Sequence, residues 1–495
     1  MNGLARVISP GREQGMYDTL IIGRDLSSLV AALTCVCEGR KTIWITEENP
    51  DCVYREAGYT FPSDARPLWV LADWQLFSTL IRGLLPADYA VDQDGILKPA
   101  FQIILPGHRV DLFSDREKLI GDLVREFPEQ EKEIKRFYRT AEKAGNLFKE
   151  LMTKEETGHL GGIERILSRI ACFPAALSSH ISLTLPKEER CDGFHRILQA
   201  QLNFLSHLET DGCSLPLFAA YLLSIPMSGF FHPPGGMNAW KEHLRRAFMD
   251  HGGILKQGCS IIRIETEPNI TVDLKCEEST LTLSGRKLIV SAQWEKLELL
   301  LPARKVLSGP RCRNASIRSV GYPFCLHMGV HEGGLPELMA ADCVVLRNGN
   351  GPMTRRDLVF LHLSPVGDTD YAPQGCRALS ATIYLADSPL RLSDQELKNE
   401  AMGIIDLLET FLPFLRESID YLRVDQSILH SRKDQEILSR KYHTPKRLFF
   451  GMRTFSPHTR LRNVLLTGSI LRAGLGFEGE ILAGMNAAFQ SRRRS

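Results

Sequence analysis

The stretch of sequence that decides the fold is residues 17–48, YDTLIIGRDLSSLVAALTCVCEGRKTIWITEE. An apolar run over residues 19–22 predicts a strand, Gly23 predicts a tight turn, and the apolar spacing over about residues 26–38 predicts a helix. A second apolar run over residues 42–46 predicts another strand. A strand, a glycine turn, a helix and a second strand in this order indicate the βαβ unit of a dinucleotide-binding domain.

The second predicted strand ends in an acidic pair, Glu47 and Glu48. This pair lies roughly twenty residues beyond the glycine turn, which is the spacing of the carboxylate that binds a ribose hydroxyl in such units. An acidic side chain at this point is therefore predicted to hold the ribose of a dinucleotide.

The turn departs from the G-x-G-x-x-G pattern of these units, because Gly23, Asp25 and Ser28 occupy the three glycine positions. The second glycine normally lets the backbone approach a diphosphate at the helix N-terminus. Asp25 places a carboxylate there instead, and a carboxylate is a good N-cap for the same free N–H groups. We therefore expect Asp25 to compete with a phosphate, while the small Ser28 still allows close packing of helix and strand.

Length and composition bound the class of protein. A chain of 495 residues is too long for one simple core and predicts two or three interwoven domains. With 43% hydrophobic and 24% charged residues, the composition is that of an ordinary globular protein. The net charge of +1 gives no electrostatic reason to expect a nucleic acid as partner.

The cysteines and the termini bear on location. Of the twelve cysteines, only Cys35 and Cys37 lie close together, and no C-x-x-C pair is present. This pattern predicts no metal site and favours a reduced, cytoplasmic setting. The first sixteen residues contain no apolar run typical of a signal peptide, and no segment is long and apolar enough for a transmembrane helix.

The rest of the chain alternates strand-like and helix-like segments. The pattern predicts an apolar helix over 71–84, a hairpin over 95–113, a long helical region over 116–152, a helix between Gly235-Gly236 and Gly252-Gly253, a buried strand over 287–292, a sheet with strands over 322–330, 343–347, 358–363 and 379–385, a helix over 394–415, and a final strand, glycine-rich turn and helix over 463–489.

Two stretches, residues 170–186 and 213–240, carry no formal charge. Pro216, Pro226 and Gly229 interrupt the second stretch, which argues against a membrane span. The simpler interpretation is that both are buried core helices. The functional interpretation is that they line a substrate tunnel or touch a bilayer to collect a lipid.

In their order and spacing these blocks resemble the phytoene desaturase-like branch of the flavin-containing amine oxidase and desaturase superfamily. Four segments carry the resemblance: the N-terminal βαβ unit, residues 105–128, residues 235–265 and the C-terminal block from Gly468. The resemblance implies an α/β fold in which a Rossmann-like FAD domain is assembled from separated chain segments. An α+β substrate domain, made of a mixed sheet and helices, is inserted between these segments.

The resemblance also implies domain boundaries. The FAD domain is expected to comprise residues 1–70, 226–305 and 456–495, and the substrate domain residues 71–225 and 306–455.

The family pattern implies a set of cofactor-binding residues. Gly23 forms the first phosphate turn together with Arg24, Asp25 and Ser28, Glu47 binds the adenosine ribose, the backbone of Ile261 meets the adenine, and the C-terminal motif comprises Gly468, Ser469, Gly474, Gly476 and Gly479. Ser469 stands where many relatives have an aspartate. A helix from Glu480 is expected to direct its N-terminus toward the flavin.

The first hypothesis for function is an FAD-dependent oxidoreductase of the desaturase, saturase or isomerase type. Hydride would pass between flavin and an apolar substrate, such as a polyene or another lipid, so that the cofactor carries the chemistry. The family includes peripheral membrane proteins. No catalytic acid or base is identified; His232 is the nearest candidate, but a lone histidine is more often structural than catalytic.

The second hypothesis is a flavin-less relative that kept the fold and binds a protein or lipid partner, as Rab GDP-dissociation inhibitors of this superfamily do. Asp25, as the cap of its own helix, is the residue that favours it. A third hypothesis is a different nucleotide bound in an altered way. The discriminating feature is the turn over residues 23–28: an open pocket beside Asp25 favours the enzyme, and a pocket filled by the carboxylate favours the binding protein.

Overall fold

The computed structural model describes the chain in several ranges. These are residues 15–47, 53–62, 68–69, 96–156, 193–209, 216–233, 235–276, 279–294, 296–301, 317–347, 353, 357–443 and 457–492.

The N-terminal βαβ unit is confirmed. Strand β1 spans Tyr17–Ile22, helix α1 spans Leu26–Cys37 and strand β2 spans Thr42–Thr46. All but the last residue of α1 is buried, which explains why its sequence is apolar on every face rather than on one stripe.

The first sheet has seven strands. The other five are β9 (Ile254–Gln257), β10 (Ser260–Glu265), β11 (Ile270–Cys276), β12 (Ser279–Ser291) and β19 (Val464–Thr467). Strands β19, β12, β1, β2 and β9 run parallel in that spatial order. Strand β11 pairs antiparallel with the first half of β12, and β10 pairs antiparallel with β11. Three separated pieces of chain thus build one Rossmann-like sheet, as the resemblance implied.

The second sheet has eight strands. They are β6 (Phe101–Leu105), β7 (His108–Leu112), β13 (Arg318–His331), β14 (Asp342–Leu346), β15 (Leu358–Leu363), β16 (Cys376–Leu385), β17 (Ile419–Leu422) and β18 (Lys441–His443). Most pairs are antiparallel, but β14 and β6 run parallel, so the sheet is mixed as predicted. The domain boundaries given above stay predictions.

Short strand pairs and helices complete the fold. The short strands are β3 (Val53–Glu56), β4 (Tyr59–Pro62), β5 (Leu68–Trp69) and β8 (Phe230–Phe231). The remaining helices are α2 (Arg116–Glu126), α3 (Glu131–Glu156), α4 (Gly193–Leu205), α5 (Pro216–Ser228), α6 (Gly236–Asp250), α7 (Leu297–Leu300), α8 (Asp394–Glu409), α9 (Leu415–Ser418), α10 (Val424–Lys433) and α11 (Gly476–Arg492). None of the described helices is long and apolar enough to cross a bilayer.

Three predicted helices differ from those observed. The long helical region breaks between α2 and α3 at a short 3₁₀ turn over Pro128–Gln130, since proline cannot donate a helical hydrogen bond. Helix α8 ends at Glu409 rather than near residue 415, and α11 begins at Gly476 rather than at Glu480. The predicted helix over 71–84 and the uncharged stretch over 170–186 lie outside the described residues.

Cys259, which directly precedes β10, and Cys276, the last residue of β11, form a disulfide. The prediction that the cysteines are reduced is therefore wrong for this pair. The two residues are distant in sequence, and only the antiparallel register of the hairpin brings them together. The free cysteines Cys35, Cys325, Cys343 and Cys376 are buried.

Helices α1 and α11 pack closely, and Gly484 makes this approach possible. A Cβ at Gly484 would overlap the backbone carbonyl oxygen of Ser27 and lie 3.0 Å from the Cβ of Val30. Because the obstructing atom belongs to the backbone of α1, the helices would have to separate to admit a methyl group.

We predict that Gly484→Ala lowers the free energy of unfolding by about 1–3 kcal/mol, the usual cost of overpacking. The matched control is Gly121→Ala in α2, where a Cβ would meet no atom within 4 Å. That change should stabilise the protein by about 0.5–1 kcal/mol, because alanine is the better helix former. Equal effects of the two variants in urea unfolding would contradict this packing.

Candidate functional site

The parallel strands of the first sheet bring the predicted site residues to one edge. Gly23 follows β1, Glu47 follows β2, Ser291 ends β12 and Gly468 follows β19. In open parallel sheets the ligand binds outside the carboxyl ends of the strands. Residues that are distant in sequence thus meet at the expected place.

Asp25 occupies the N-terminus of α1, where a diphosphate would bind. Its Oδ1 accepts a 2.8 Å hydrogen bond from the backbone N–H of Ser28, and its Oδ2 accepts a hydrogen bond from the hydroxyl of Ser291. The side chain is almost completely buried. The carboxylate therefore holds a helix N–H that a phosphate would otherwise use.

Burial raises the pKa of Asp25, while its hydrogen bonds from Ser291 and Ser28 act in the opposite direction. The charge of Glu480 raises this pKa further. Two acidic side chains thus lie near the place of an anionic diphosphate, which is the wrong sign of charge for that ligand.

Protein groups pack tightly around Gly23 in the turn after β1. Trp44 donates a 2.8 Å hydrogen bond from Nε1 to the carbonyl oxygen of Gly23. A Cβ at Gly23 would overlap Ser28 Oγ and lie 2.6 Å from Ser291 Cβ, and the φ of Gly23 is 144°. Close packing within the protein therefore suffices to explain this glycine.

Arg24 contacts helix α10 through its Nη1, which donates to the carbonyl oxygen of Lys433 at 3.2 Å. A cavity of about 40 Å³ lies beside Arg24 and Asp25, lined also by Trp44 and α6 residues. The Asp25 carboxylate borders this cavity, at the place where a diphosphate would approach the helix N-terminus.

Glu47 is also held by protein groups. Its Oε1 accepts from the backbone N–H of Ile261 at 2.8 Å and from Lys296 Nζ at 2.6 Å. Its Oε2 accepts from Trp294 Nε1 at 3.1 Å. The predicted ribose and adenine contacts, Glu47 and Ile261, thus bind each other in the structure.

Ser469 is anchored by Gln293, whose Oε1 accepts from the backbone N–H of Ser469 at 3.1 Å and from its hydroxyl at 2.8 Å. The Tyr442 hydroxyl lies 3.1 Å from Ser469 Oγ. Gly468 has a φ of 120°, and a Cβ there would lie 3.4 Å from the backbone nitrogen of Ala292. Gly468 therefore lets the chain that follows β19 pass close to the chain that follows β12.

The remaining glycines of the C-terminal motif face protein atoms. Gly474 is buried in the 3₁₀ segment Ser469–Leu475. A Cβ at Gly476 would overlap the Leu205 carbonyl oxygen, and one at Gly479 would overlap the Arg472 carbonyl oxygen. Packing is thus sufficient to explain a glycine at positions 476 and 479.

The first turns of α11 carry two buried carboxylates whose partners could not be read from the sequence. Glu480 pairs with His207 at 2.9 Å and accepts from the Ser439 hydroxyl, and Glu478 accepts from the Tyr221 hydroxyl. These partners lie tens to hundreds of residues away along the chain, so no local pattern shows them.

Some buried polar atoms near these strand ends have no hydrogen-bond partner among the residues that the structure describes. They are Oγ1 of Thr46, Oγ1 of Thr467 and Nε2 of Gln293. Such atoms normally bind water or a ligand. The edges of the site therefore fit a polar ligand, whereas the helix N-terminus, filled by Asp25, does not fit the diphosphate of FAD in this conformation.

His232, the residue nominated as a catalytic candidate, is not isolated. It lies 2.9 Å from Asp342, which also lies 2.9 Å from His362. Burial raises the pKa of Asp342, but the two imidazoles more than offset this and lower it to about 2. No local sequence pattern indicates this group, because its members come from three separate segments.

Comparison with known proteins agrees with the predicted resemblance. No protein-family model matches the chain. A curated relative, prolycopene isomerase 2, chloroplastic, from an Oncidium hybrid cultivar, is 20% identical in an alignment 395 residues long that covers 75% of this chain and 66% of that protein. The chain thus spans slightly less than two thirds of that relative's length.

Solved structures share the fold over nearly the whole chain. An oxidoreductase from Methanosarcina mazei has a TM-score of 0.57 at 13% identity and covers 94% of this chain and 99% of its own. Cyclohexylamine oxidase from Brevibacterium oxydans scores 0.54 at 16% identity, with 96% and 99% covered. RAB GDI from Plasmodium falciparum scores 0.52 at 9% identity, with 97% and 99% covered. At these identities the likeness establishes the fold alone, which this chain shares with an oxidoreductase, an amine oxidase and a RAB GDI.

We predict that Asp25→Asn stabilises the folded protein at neutral pH. Asparagine can still cap α1, but it removes the cost of ionising a buried group. Because the folded pKa of Asp25 is raised, its protonated form contributes stability below the ordinary aspartate pKa, and this contribution is lost as pH rises through the folded pKa. The advantage of the variant should therefore be small in acid and grow toward neutral pH in thermal unfolding.

The matched control is Asp115→Asn at the exposed N-cap of α2, where hydrogen bonds to backbone N–H groups lower the pKa of the carboxyl. This variant should lower stability at neutral pH, and its effect should fade in acid. The same pH dependence for both variants would show that Asp25 is not held as described.

Proposed function

From the fold that this chain shares with FAD-dependent amine oxidases and oxidoreductases, we propose that the protein is an oxidoreductase or isomerase of this type that acts on an apolar substrate. The observation that carries the proposal is the sequence similarity to a prolycopene isomerase over 395 residues. The near-complete coverage of the oxidoreductase fold supports it. A polyene or another lipid is the substrate class that agrees with this relative.

FAD is the proposed cofactor, and it makes one demand on this chain. Asp25 must release the Ser28 N–H and the Ser291 hydroxyl before a diphosphate reaches the N-terminus of α1. Glu47 must likewise exchange Ile261 or Lys296 for a ribose hydroxyl. Burial raises the pKa of Asp25, and protonation of this side chain is the change that would remove its repulsion of the phosphate.

Access to an apolar substrate is part of the proposal. Within the described part of the uncharged stretch, Tyr221, Leu222 and Leu223 of α5 are buried in the core, which favours the simpler structural interpretation there. Peripheral contact with a bilayer is therefore a proposal that rests on the apolar substrate class and not on these helix residues.

The second candidate function is a flavin-less binding protein with a protein or lipid partner. The specific observation in its favour is the capped turn, in which the Asp25 carboxylate accepts from the Ser28 N–H and the Ser291 hydroxyl, two donors that a diphosphate would otherwise use. RAB GDI has the same fold. The two candidates differ in one measurable property, which is flavin binding.

We predict that the purified wild-type protein takes up FAD weakly and that Asp25→Gly binds it at least tenfold more tightly. Removal of the carboxylate frees the Ser28 N–H and eliminates a repulsion that costs several kcal/mol when desolvated. The measurement is the visible flavin spectrum after incubation with excess FAD and desalting, together with a fluorescence titration.

Asp115→Gly is the matched control, because it removes the N-cap of α2, a helix that contributes no residue to the predicted site. It should leave FAD affinity unchanged. If folded wild-type protein takes up no flavin while Asp25→Gly does, the wild-type chain is a flavin-less protein whose carboxylate caused the loss. If neither protein takes up flavin, the cofactor proposal is wrong.

A further inference from the structure

Three potential ligand side chains meet at the boundary between the second sheet and the segment that leads into α6. His232 follows β8, Asp342 begins β14, and His362 lies on β15. Asp342 and His362 are directly opposite each other in the antiparallel β14–β15 pair. Residues that face each other in this way project from the same side of the sheet.

The geometry of the three side chains is convergent. His232 Nε2 lies 2.9 Å from Asp342 Oδ2, and His362 Nδ1 lies 2.9 Å from Asp342 Oδ1. One ligand atom from each residue can be chosen so that all three lie within 4.8 Å of one another. The carboxylate is 3% exposed, and the imidazoles are 19% and 15% exposed.

We propose that His232, Asp342 and His362 bind a divalent transition-metal ion of the zinc type. Imidazole nitrogens and a carboxylate oxygen are suitable ligands for such ions, which they bind at about 2.0–2.2 Å. Neighbouring ligand atoms on one ion are consequently roughly 3–3.5 Å apart. With either carboxylate oxygen as the ligand, one histidine nitrogen lies 2.9 Å from it, and the remaining separations are within 4.8 Å. Side-chain movements that bring these atoms to the ligand spacing would admit the ion.

The backbone around the carboxylate is held in place. β14 lies between β15 and β6 in the sheet, and Gln102 of β6 accepts a 2.8 Å hydrogen bond from the N–H of Ala340, just before Asp342. On the other side, the Tyr371 hydroxyl donates to the carbonyl oxygen of Gly235 at 2.8 Å and fixes the segment that carries His232. A site supported by a sheet and a fixed loop is preorganised for an ion.

The ligand count indicates what kind of site this is. Structural zinc ions have four protein ligands, whereas catalytic zinc ions have three and keep one position for water or substrate. Two histidines and one aspartate leave such a position. The half-buried imidazoles allow a small oxygen ligand to reach the ion. This inference does not depend on flavin binding.

The simpler interpretation is a buried aspartate satisfied by two histidine N–H groups. The two interpretations differ in what happens when metal is added. A hydrogen-bonded group gains nothing from zinc, whereas a metal site gains thermal stability in proportion to the logarithm of metal concentration.

The test is a titration of the metal-free full chain with Co²⁺, followed by visible absorption, and with Zn²⁺, followed by thermal unfolding. We expect one Co²⁺ per chain, displacement by Zn²⁺, and a rise in Tm with Zn²⁺. His232→Ala and His362→Ala should each weaken binding at least tenfold. His232 is partly exposed, so its variant is expected to fold, and circular dichroism checks this.

The matched control is His331→Ala, which removes an exposed histidine that lies 3.8 Å from Asp420. It should leave the Co²⁺ spectrum and the Zn²⁺-dependent Tm unchanged. The proposal is overturned if no stoichiometric Co²⁺ spectrum appears, or if binding persists undiminished in both ligand variants.

Discussion

The contact of the Asp25 carboxylate with the Ser28 N–H and the Ser291 hydroxyl is the constraint on which the site depends. It ties the first turn of α1 to the end of β12 and so fixes two of the three chain pieces that build the first sheet. The same contact occupies the helix N-terminus, where dinucleotide-binding folds bind the anionic diphosphate. The two Asp25 contacts and a diphosphate bound at the N-terminus of α1 therefore exclude each other.

The rest of the site is consistent with this exclusion. Glu47 binds Ile261, Trp294 and Lys296, so its carboxylate is satisfied without a ribose. Gly476 and Gly479 face protein carbonyl groups. The retained glycines and the retained acid are thus consistent with packing, and they do not by themselves require a cofactor. The similarity to an isomerase and to oxidoreductases is what favours an enzyme.

Much of the fold was predictable, because it depends on local patterns. The βαβ unit has unambiguous apolar runs. The Pro106-Gly107 turn marks the hairpin of β6 and β7, and Asp115 marks the start of α2. Partners across long separations were not predictable. Ser291 lies 266 residues after Asp25, and the His232, Asp342 and His362 group comes from strands and a loop that only the sheet register brings together.

The measurement that tests this account most directly is a crystal structure of the wild-type protein grown with excess FAD. The account predicts mutual exclusion at the N-terminus of α1. Either Asp25 caps the helix and contacts Ser291, or a diphosphate lies there and Asp25 has turned away. A diphosphate bound while Asp25 keeps both contacts, or an empty helix terminus with Asp25 in solvent, would contradict it.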